Sequence, residues 1–219
     1  LLAAGPSAVR AQSAAPTRIT VQADKPGAAG PKTLFGLFFE DINCAADGGL
    51  YPELVKNKSF ELPEPLLGWQ ALKGGAALET YQVRTEGAAS PASPHYLRLT
   101  AKAASPDAGI SNEGFRGMGV KQGEDYTLTL LARRVAGPGQ QLRVVLEGDK
   151  GATLAESRLA LPTGAGWQPL TLTLRPTATF AKARLRLVLE GAGTVDLDAV
   201  SHYPDATWQN RPNGLRPAL

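Results

Sequence analysis

Alternation of apolar and polar residues with a period of two recurs along this chain, and it constrains the fold more than any other feature. It runs through residues 17–23, 96–100, 126–130, 142–147, 170–174, 185–189 and 194–200. Successive side chains of a strand point to opposite faces, so each run predicts one face toward a core and one toward solvent or ligand. Turn-forming clusters separate the runs: Gly74-Gly75, residues 87–94, Ser105-Pro106-Asp107, Gly137-Pro138-Gly139, residues 148–151 and 162–166. Short strands at spacings of roughly 8–15 residues joined by Gly/Pro turns predict an antiparallel β-sandwich or jelly roll, placed at residues 60–204. No long segment repeats apolar residues at three and four, so helices are not expected inside it.

Two segments escape this pattern. Residues 33–43, TLFGLFFEDIN, form a nearly continuous apolar run that ends abruptly in charge. Such a run suits a strand buried on both faces, as in a parallel sheet or barrel, and its partners are expected outside this chain. At the other end, Asn213 reads as the cap of a beginning helix that tolerates Pro217 in its first turn. The apolar residues 1–4, followed by the small-residue stretch 5–15, read as the tail of a secretory signal peptide.

Composition excludes several classes. Cys44 is the single cysteine, so no internal disulfide is expected, and with only His95 and His202 beside it no Cys/His zinc site is expected either. A secreted chain without disulfides points to a bacterial periplasm or exterior. The net charge of +3 arises from 23 basic residues scattered among 20 acidic ones, and the adjacent pair Arg133-Arg134 sits in a strand pattern. Nucleic-acid binding, which needs a concentrated basic patch or a recognisable motif, is not expected. No apolar run approaches the roughly 20 residues needed to span a bilayer, so no membrane partner is expected.

The segment 34–61, LFGLFFEDINCAADGGLYPELVKNKSFE, resembles the start of the α-L-arabinofuranosidases of glycoside hydrolase family 51. Residues 208–219, WQNRPNGLRPAL, resemble the lead into the first barrel helix of those enzymes. The middle, about 62–203, is similar to a carbohydrate-binding sandwich of the CBM4/9, galactose-binding-like type inserted there in one branch of the family. The resemblance implies that residues 34–43 are the first strand of a (β/α)8 barrel and 213–219 the start of the helix that follows. The expected fold class is therefore all-β: an antiparallel β-sandwich (jelly roll) flanked by the first strand and first helix turn of an incomplete (β/α)8 barrel. The expected divisions are a leader at 1–15, an N-terminal strand with the first barrel strand and loop at 16–59, the sandwich at 60–204, and the start of a barrel helix at 205–219. By the same resemblance, residues 17–23 join a separate C-terminal β-sandwich, and the catalytic barrel lies outside this chain.

Site expectations follow from this alignment. Glu40 stands at the C-terminal end of the barrel strand, where barrel enzymes gather their active sites. The resemblance gives it sugar hydroxyls to bind, which an ionised carboxylate does strongly. Asn43 and the Gly48-Gly49 turn are expected to shape the same pocket. Glu40 and Asp41 point to opposite faces and cannot flank one glycosidic bond. A retaining enzyme needs two carboxyl groups about 5–5.5 Å apart, and the family draws both from later barrel strands, so this chain alone is expected to be inactive. Cys44 departs from the family pattern and is read as a passive thiol near the site.

In the sandwich, sugar recognition would rest on aromatic platforms with polar neighbours. The aromatic candidates are Trp69, Tyr81, Tyr96, Phe115 and Trp167, with Trp69 and Trp167, each following a glycine, expected in the core. Asn112, Glu113, Phe115 and Arg116, in the NEGFR segment, form the favoured binding loop. Glu61 and Asp198 match acidic residues that share a structural Ca²⁺ in related sandwiches, and oxygen ligands suit calcium. No other cofactor is expected. The implied partner is an arabinose-containing polysaccharide or oligosaccharide. The rivals are a stand-alone carbohydrate-binding module and a spacer sandwich with no ligand; a free-standing module would make strand 33–43 amphipathic, which it is not.

Overall fold

The computed structural model describes residues 18–22, 24–25, 27, 44–73, 77–137 and 141–217. The leader 1–15 and the apolar run 33–43, with Glu40 and Asn43, lie outside these residues. The chain divides into two compact units, residues 1–39 and 40–219. In the first, residues 18–22 belong to no strand, and Ile19 and Val21 are exposed. Their alternation predicts a strand, but a strand needs a ladder, and no partner pairs with them among the described residues.

The second unit is an antiparallel β-sandwich. Its strands are β1 (Trp69–Ala71), β2 (Leu78–Arg84), β3 (Tyr96–Ala101), β4 (Gly109–Asn112), β5 (Met118–Val120) and β6 (Tyr126–Ala136). They continue with β7 (Gln141–Glu147), β8 (Thr153–Ala160), β9 (Gln168–Leu174), β10 (Phe180–Glu190) and β11 (Gly193–Pro204). One sheet runs β1-β4-β10-β7-β8, with β5 also paired to β10; the other runs β2-β3-β11-β6-β9. The alternating runs from residue 96 onward all became strands. Those the alternation left unmarked, β1, β2, β4, β5 and β8, include the short edge strand β1 and the outermost strands β2 and β8.

The inner faces make the core. Leu97 and Leu99 of β3, Leu128 and Leu130 of β6, Leu142, Val144 and Leu146 of β7, and Leu185, Leu187 and Leu189 of β10 are all buried. Each fully buried aliphatic side chain contributes about 1.5–3 kcal/mol, which explains why no disulfide is needed.

One irregularity sets the position of the later loops. The β11–β6 register shifts between Asp198 and Ser201, with Ala199 at φ +48° and its N–H donated to Asp198 Oδ1 at 2.6 Å. A bulge inserts one residue, so Val200 and His202 turn inward in place of their neighbours. His202 is fully buried beside Tyr126, its ring centroid 5.8 Å away, and burial pushes its pKa down to about 4. It is a neutral core histidine.

The bulge also receives the segment that precedes the sandwich. Val200 N–H donates to Lys58 O at 2.9 Å, and Leu54 N–H donates to His202 O at 2.8 Å. Leu54, Val55 and Phe60 are buried, and Phe60 packs on Trp69 with centroids 5.6 Å apart. A boundary at residue 60 therefore cuts through one packed unit, whose described part starts at residue 44.

The expected helix start after Asn213 is not formed among the described residues. A 3-10 turn spans Trp208–Asn210, and Asn213 takes φ +51°. Trp208 N–H donates to Leu215 O at 2.8 Å and Gly214 N–H to Arg211 O at 2.9 Å, closing a loop where a helix would need i to i−4 bonds.

Candidate functional site

Both sheet faces turned to solvent are occupied by their own side chains. On β7, β8 and β10, Arg143 pairs with Glu156 (3.3 Å), Arg158 with Glu190 (3.1 Å) and Arg184 with Glu147 (2.9 Å). Arg186 bridges Glu147 (2.6 Å) and Asp107 (2.9 Å). On the other sheet, Asp196 is fully buried beneath Arg98 and Arg133, each at 2.6 Å. Arg133 lies over Trp167 at 4.6 Å and Tyr96 at 5.3 Å.

The aromatic candidates are thereby sorted. Trp69 is buried and donates from its indole to Asn57 O, as expected of a core residue. Tyr96 is buried with its hydroxyl on Glu86 O, and Tyr81 packs against the core. Trp167 is not a core residue: it is half-buried on the outer face, with its indole N–H on Gly87 O and its ring covered by Arg133. Phe115 is the candidate ring that remains, half-buried on the loop between β4 and β5.

That loop is held rigidly. Asn112 is fully buried, accepts from Gly114 N (2.8 Å) and Lys56 N (3.2 Å), and donates to Lys56 O (2.9 Å). Its amide is consumed by the backbone, so Asn112 is not a sugar contact; it fastens the contact loop to residues 54–57. Gly117, at φ +93°, lies flush on β10, where a Cβ would come within 2.7 Å of Lys182 Cα. Phe115 lies against Gly48, whose added Cβ would meet the ring at 2.5 Å. Glu113 and Arg116 are exposed and make no ion pair among the described residues.

Two clefts open on either side of this loop. One, of about 510 Å³, is lined by Glu113, Phe115, Arg116, Asp149, Phe180 and Lys182 among others. The second, of about 710 Å³, is lined by Cys44, Gly48, Gly49, Glu53, Phe115, Arg116 and Arg216 among others. Cys44 is an exposed free thiol at its rim. Glu40 and Asn43 lie outside the described residues, so their places relative to this cleft are not part of the geometry.

Sequence reasoning missed two residues. Glu53 is fully buried and accepts from Val55 N (2.9 Å), His202 N (3.0 Å), Leu54 N (3.1 Å) and the Ser201 hydroxyl. Desolvation raises its pKa, against the pull of those hydrogen bonds. Arg216 donates to Gly48 O at 3.0 Å and also to Gly49 O, while its own N–H donates to Leu50 O at 3.0 Å. It pins the segment leaving the sandwich to the loop leading into it. The one sequence signal for Glu53 is a lone charge before the apolar pair Leu54-Val55.

Glu61 and Asp198 lie within electrostatic reach of each other. Asp198 is buried, and desolvation, aided by the charge of Glu61, pushes its pKa up to about 6. Burial works against the Glu61 carboxylate, but hydrogen bonds from the His95 N–H and ring and the Ser93 hydroxyl hold it below the usual range. Among the described residues no group of three His, Cys, Asp or Glu side chains is placed to hold a metal.

Fold and site together define an antiparallel β-sandwich whose open cleft lies on an end loop, beside the segments by which the chain enters and leaves. No protein-family model matches the chain. It is 38% identical over 208 residues to an extracellular exo-α-L-arabinofuranosidase of Streptomyces chartreusis, covering 92% of this chain and 23% of that protein. It is 29% identical over 224 residues to α-L-arabinofuranosidase 1 of Arabidopsis thaliana, covering 95% of this chain and 32% of that one. Among solved structures, an arabinose-bound family 51 α-L-arabinofuranosidase (MgGH51) superposes with a TM-score of 0.76 at 30% identity, covering 86% of this chain and 32% of that one. The homologues of this chain are thus the α-L-arabinofuranosidases of glycoside hydrolase family 51, and it spans about a quarter to a third of their length.

Proposed function

We propose that this chain is the sugar-binding N-terminal part of a secreted, retaining α-L-arabinofuranosidase that removes terminal arabinofuranosyl residues from plant polysaccharides. The observation that carries the reading is the similarity along 92% of the chain to an extracellular arabinofuranosidase, together with the superposition on an arabinose-bound one. In this reading Glu40 and Asn43 contact the arabinosyl unit, and Phe115, Glu113 and Arg116 contact the rest of the glycan. The glutamate pair that performs the displacement comes from elsewhere in the enzyme. No helix among the described residues is long and apolar enough to cross a membrane.

The test is a titration of the 219-residue chain with arabinan and arabinoxylan fragments, beside an assay on an aryl arabinofuranoside. The expected result is saturable binding without turnover. Turnover by the chain alone would overturn the division of labour, and absence of binding would leave a spacer sandwich.

A structural Ca²⁺ belongs to the same proposal. Asp198 and Glu61 supply two carboxylates with no lysine or arginine paired to either among the described residues, a donor set of the right chemistry for a hard cation that takes 6–8 oxygens. Without a cation, the raised Asp198 pKa means the fold holds a proton that the unfolded chain has released, so stability falls as pH rises from about 4 through about 6. At pH 7.5, millimolar Ca²⁺ should raise the melting temperature over EDTA, and Asp198→Asn should abolish that gain. The same melting temperature in both buffers, with Asp198→Asn more stable than the parent, would remove calcium from this site.

A further inference from the structure

The two clefts share a wall: Phe115, Arg116 and Gly117 line both. We infer that they form one continuous track for a neutral oligosaccharide of at least two units, crossing the loop at Phe115–Gly117. The inference rests on the sugar-binding reading and adds to it the size and charge of the ligand.

Volume gives the first argument. At about 510 and 710 Å³, each cleft falls within the roughly 300–1,000 Å³ typical of a small-ligand pocket, so each has room of its own. The shared wall gives the second. Asn112 anchors the loop to Lys56, and Gly117 seats it on β10, so the crossing point is formed before any ligand arrives. A preformed loop spares the ligand the cost of ordering it.

Charge gives the third argument. Around the first cleft, Arg116 and Lys182 are cations and Glu113 and Asp149 anions; all four are exposed and none makes an ion pair among the described residues. Arg184, also on this cleft, is tied to Glu147. In the second cleft the Arg216 guanidinium is spent on the Gly48 and Gly49 carbonyls, and Glu53 is saturated by backbone donors. Free groups of both signs offer donors and acceptors to hydroxyls, and because two anions offset two cations the cleft presents no excess positive charge to select an acidic sugar. The Phe115 and Phe180 rings add apolar surface for sugar faces on the first cleft.

The experiment is calorimetric titration of the 219-residue chain with neutral arabino-oligosaccharides, from the monosaccharide to the tetrasaccharide, and with a uronate-bearing oligosaccharide. Affinity should rise at least roughly tenfold from the monosaccharide to the longest ligand. Two exposed substitutions probe the two clefts without touching the core: Lys182→Ala in the first, and Gly119→Leu, whose added Cβ has no neighbour closer than 3.9 Å, in the second. Each should erase most of the gain with length, so that the longest ligand binds the variant no more than about twofold tighter than the monosaccharide does. Equal affinity at every length, or no effect of either substitution on the longer ligands, overturns the track but leaves the sugar-binding reading standing. Tighter binding of the uronate ligand overturns the neutral assignment. No binding of any ligand overturns the sugar-binding reading itself.

Discussion

Glu53→Ala is expected to destabilise the sandwich by about 2–4 kcal/mol, a fall in melting temperature of roughly 5–15 °C for a chain of this size. The carboxylate is sealed from water and accepts from three backbone N–H groups and the Ser201 hydroxyl. Alanine leaves buried donors without an acceptor, at about 1–3 kcal/mol each. Part of that loss is offset because the folded chain no longer holds a desolvated carboxylate, the cause of the raised Glu53 pKa. Glu53→Gln keeps the acceptor Oε1 and removes the charge, so it should lose well under half as much. Thermal melts of the two variants decide the matter: an alanine variant melting within a degree of the parent would show that residues 53–55 are not fastened to β11 in solution.

Asn112→Ala carries the second large effect, and it links stability to binding. The substitution removes hydrogen bonds to both backbone groups of Lys56 and to Gly114 N–H, in a fully buried place. A cost of about 2–3 kcal/mol follows. The loop carrying Phe115 and Arg116 would then lose its tie to residues 54–57. Amide exchange should accelerate at residues 113–117 far more than in β7 or β10, and affinity for arabino-oligosaccharides should drop at least roughly tenfold. Unchanged exchange in that loop would show that Gly117 and β10 alone hold it. Full affinity in the variant would show that loop order does not matter for the ligand.

These two residues mark where reading the sequence reached its limit. Asn112 reads as a sugar contact in the sequence, and in the structure it ends β4 and gives its amide to the backbone of Lys56 and Gly114. An asparagine in a loop offers the same donors and acceptor to a sugar as to a backbone, and burial decides which one it meets. Glu53 was not singled out, because its partners Ser201 and His202 are remote in sequence and the bulge at Ala199 that presents them has no signature in the alternation. Trp167 was expected in the core and instead lies outside, under Arg133. A ring beside a strand suits either face until its neighbours are known.

The sequence by itself determined the all-β class, the strands of the sandwich from β3 onward that alternate, and the similarity to α-L-arabinofuranosidases. These follow from local periodicity, turn residues and long matching segments, each of which is written in contiguous residues. Only the tertiary structure decided which aromatic rings are spent on packing, that residues 53–60 belong to the sandwich, and that residues 208–216 close back onto the Gly48-Gly49 loop in place of starting a helix. The physical reason is common to all three. Each depends on a polar or aromatic group finding its partner across a long stretch of sequence, and desolvation, which makes that partner obligatory, exists only once the chain has folded around it.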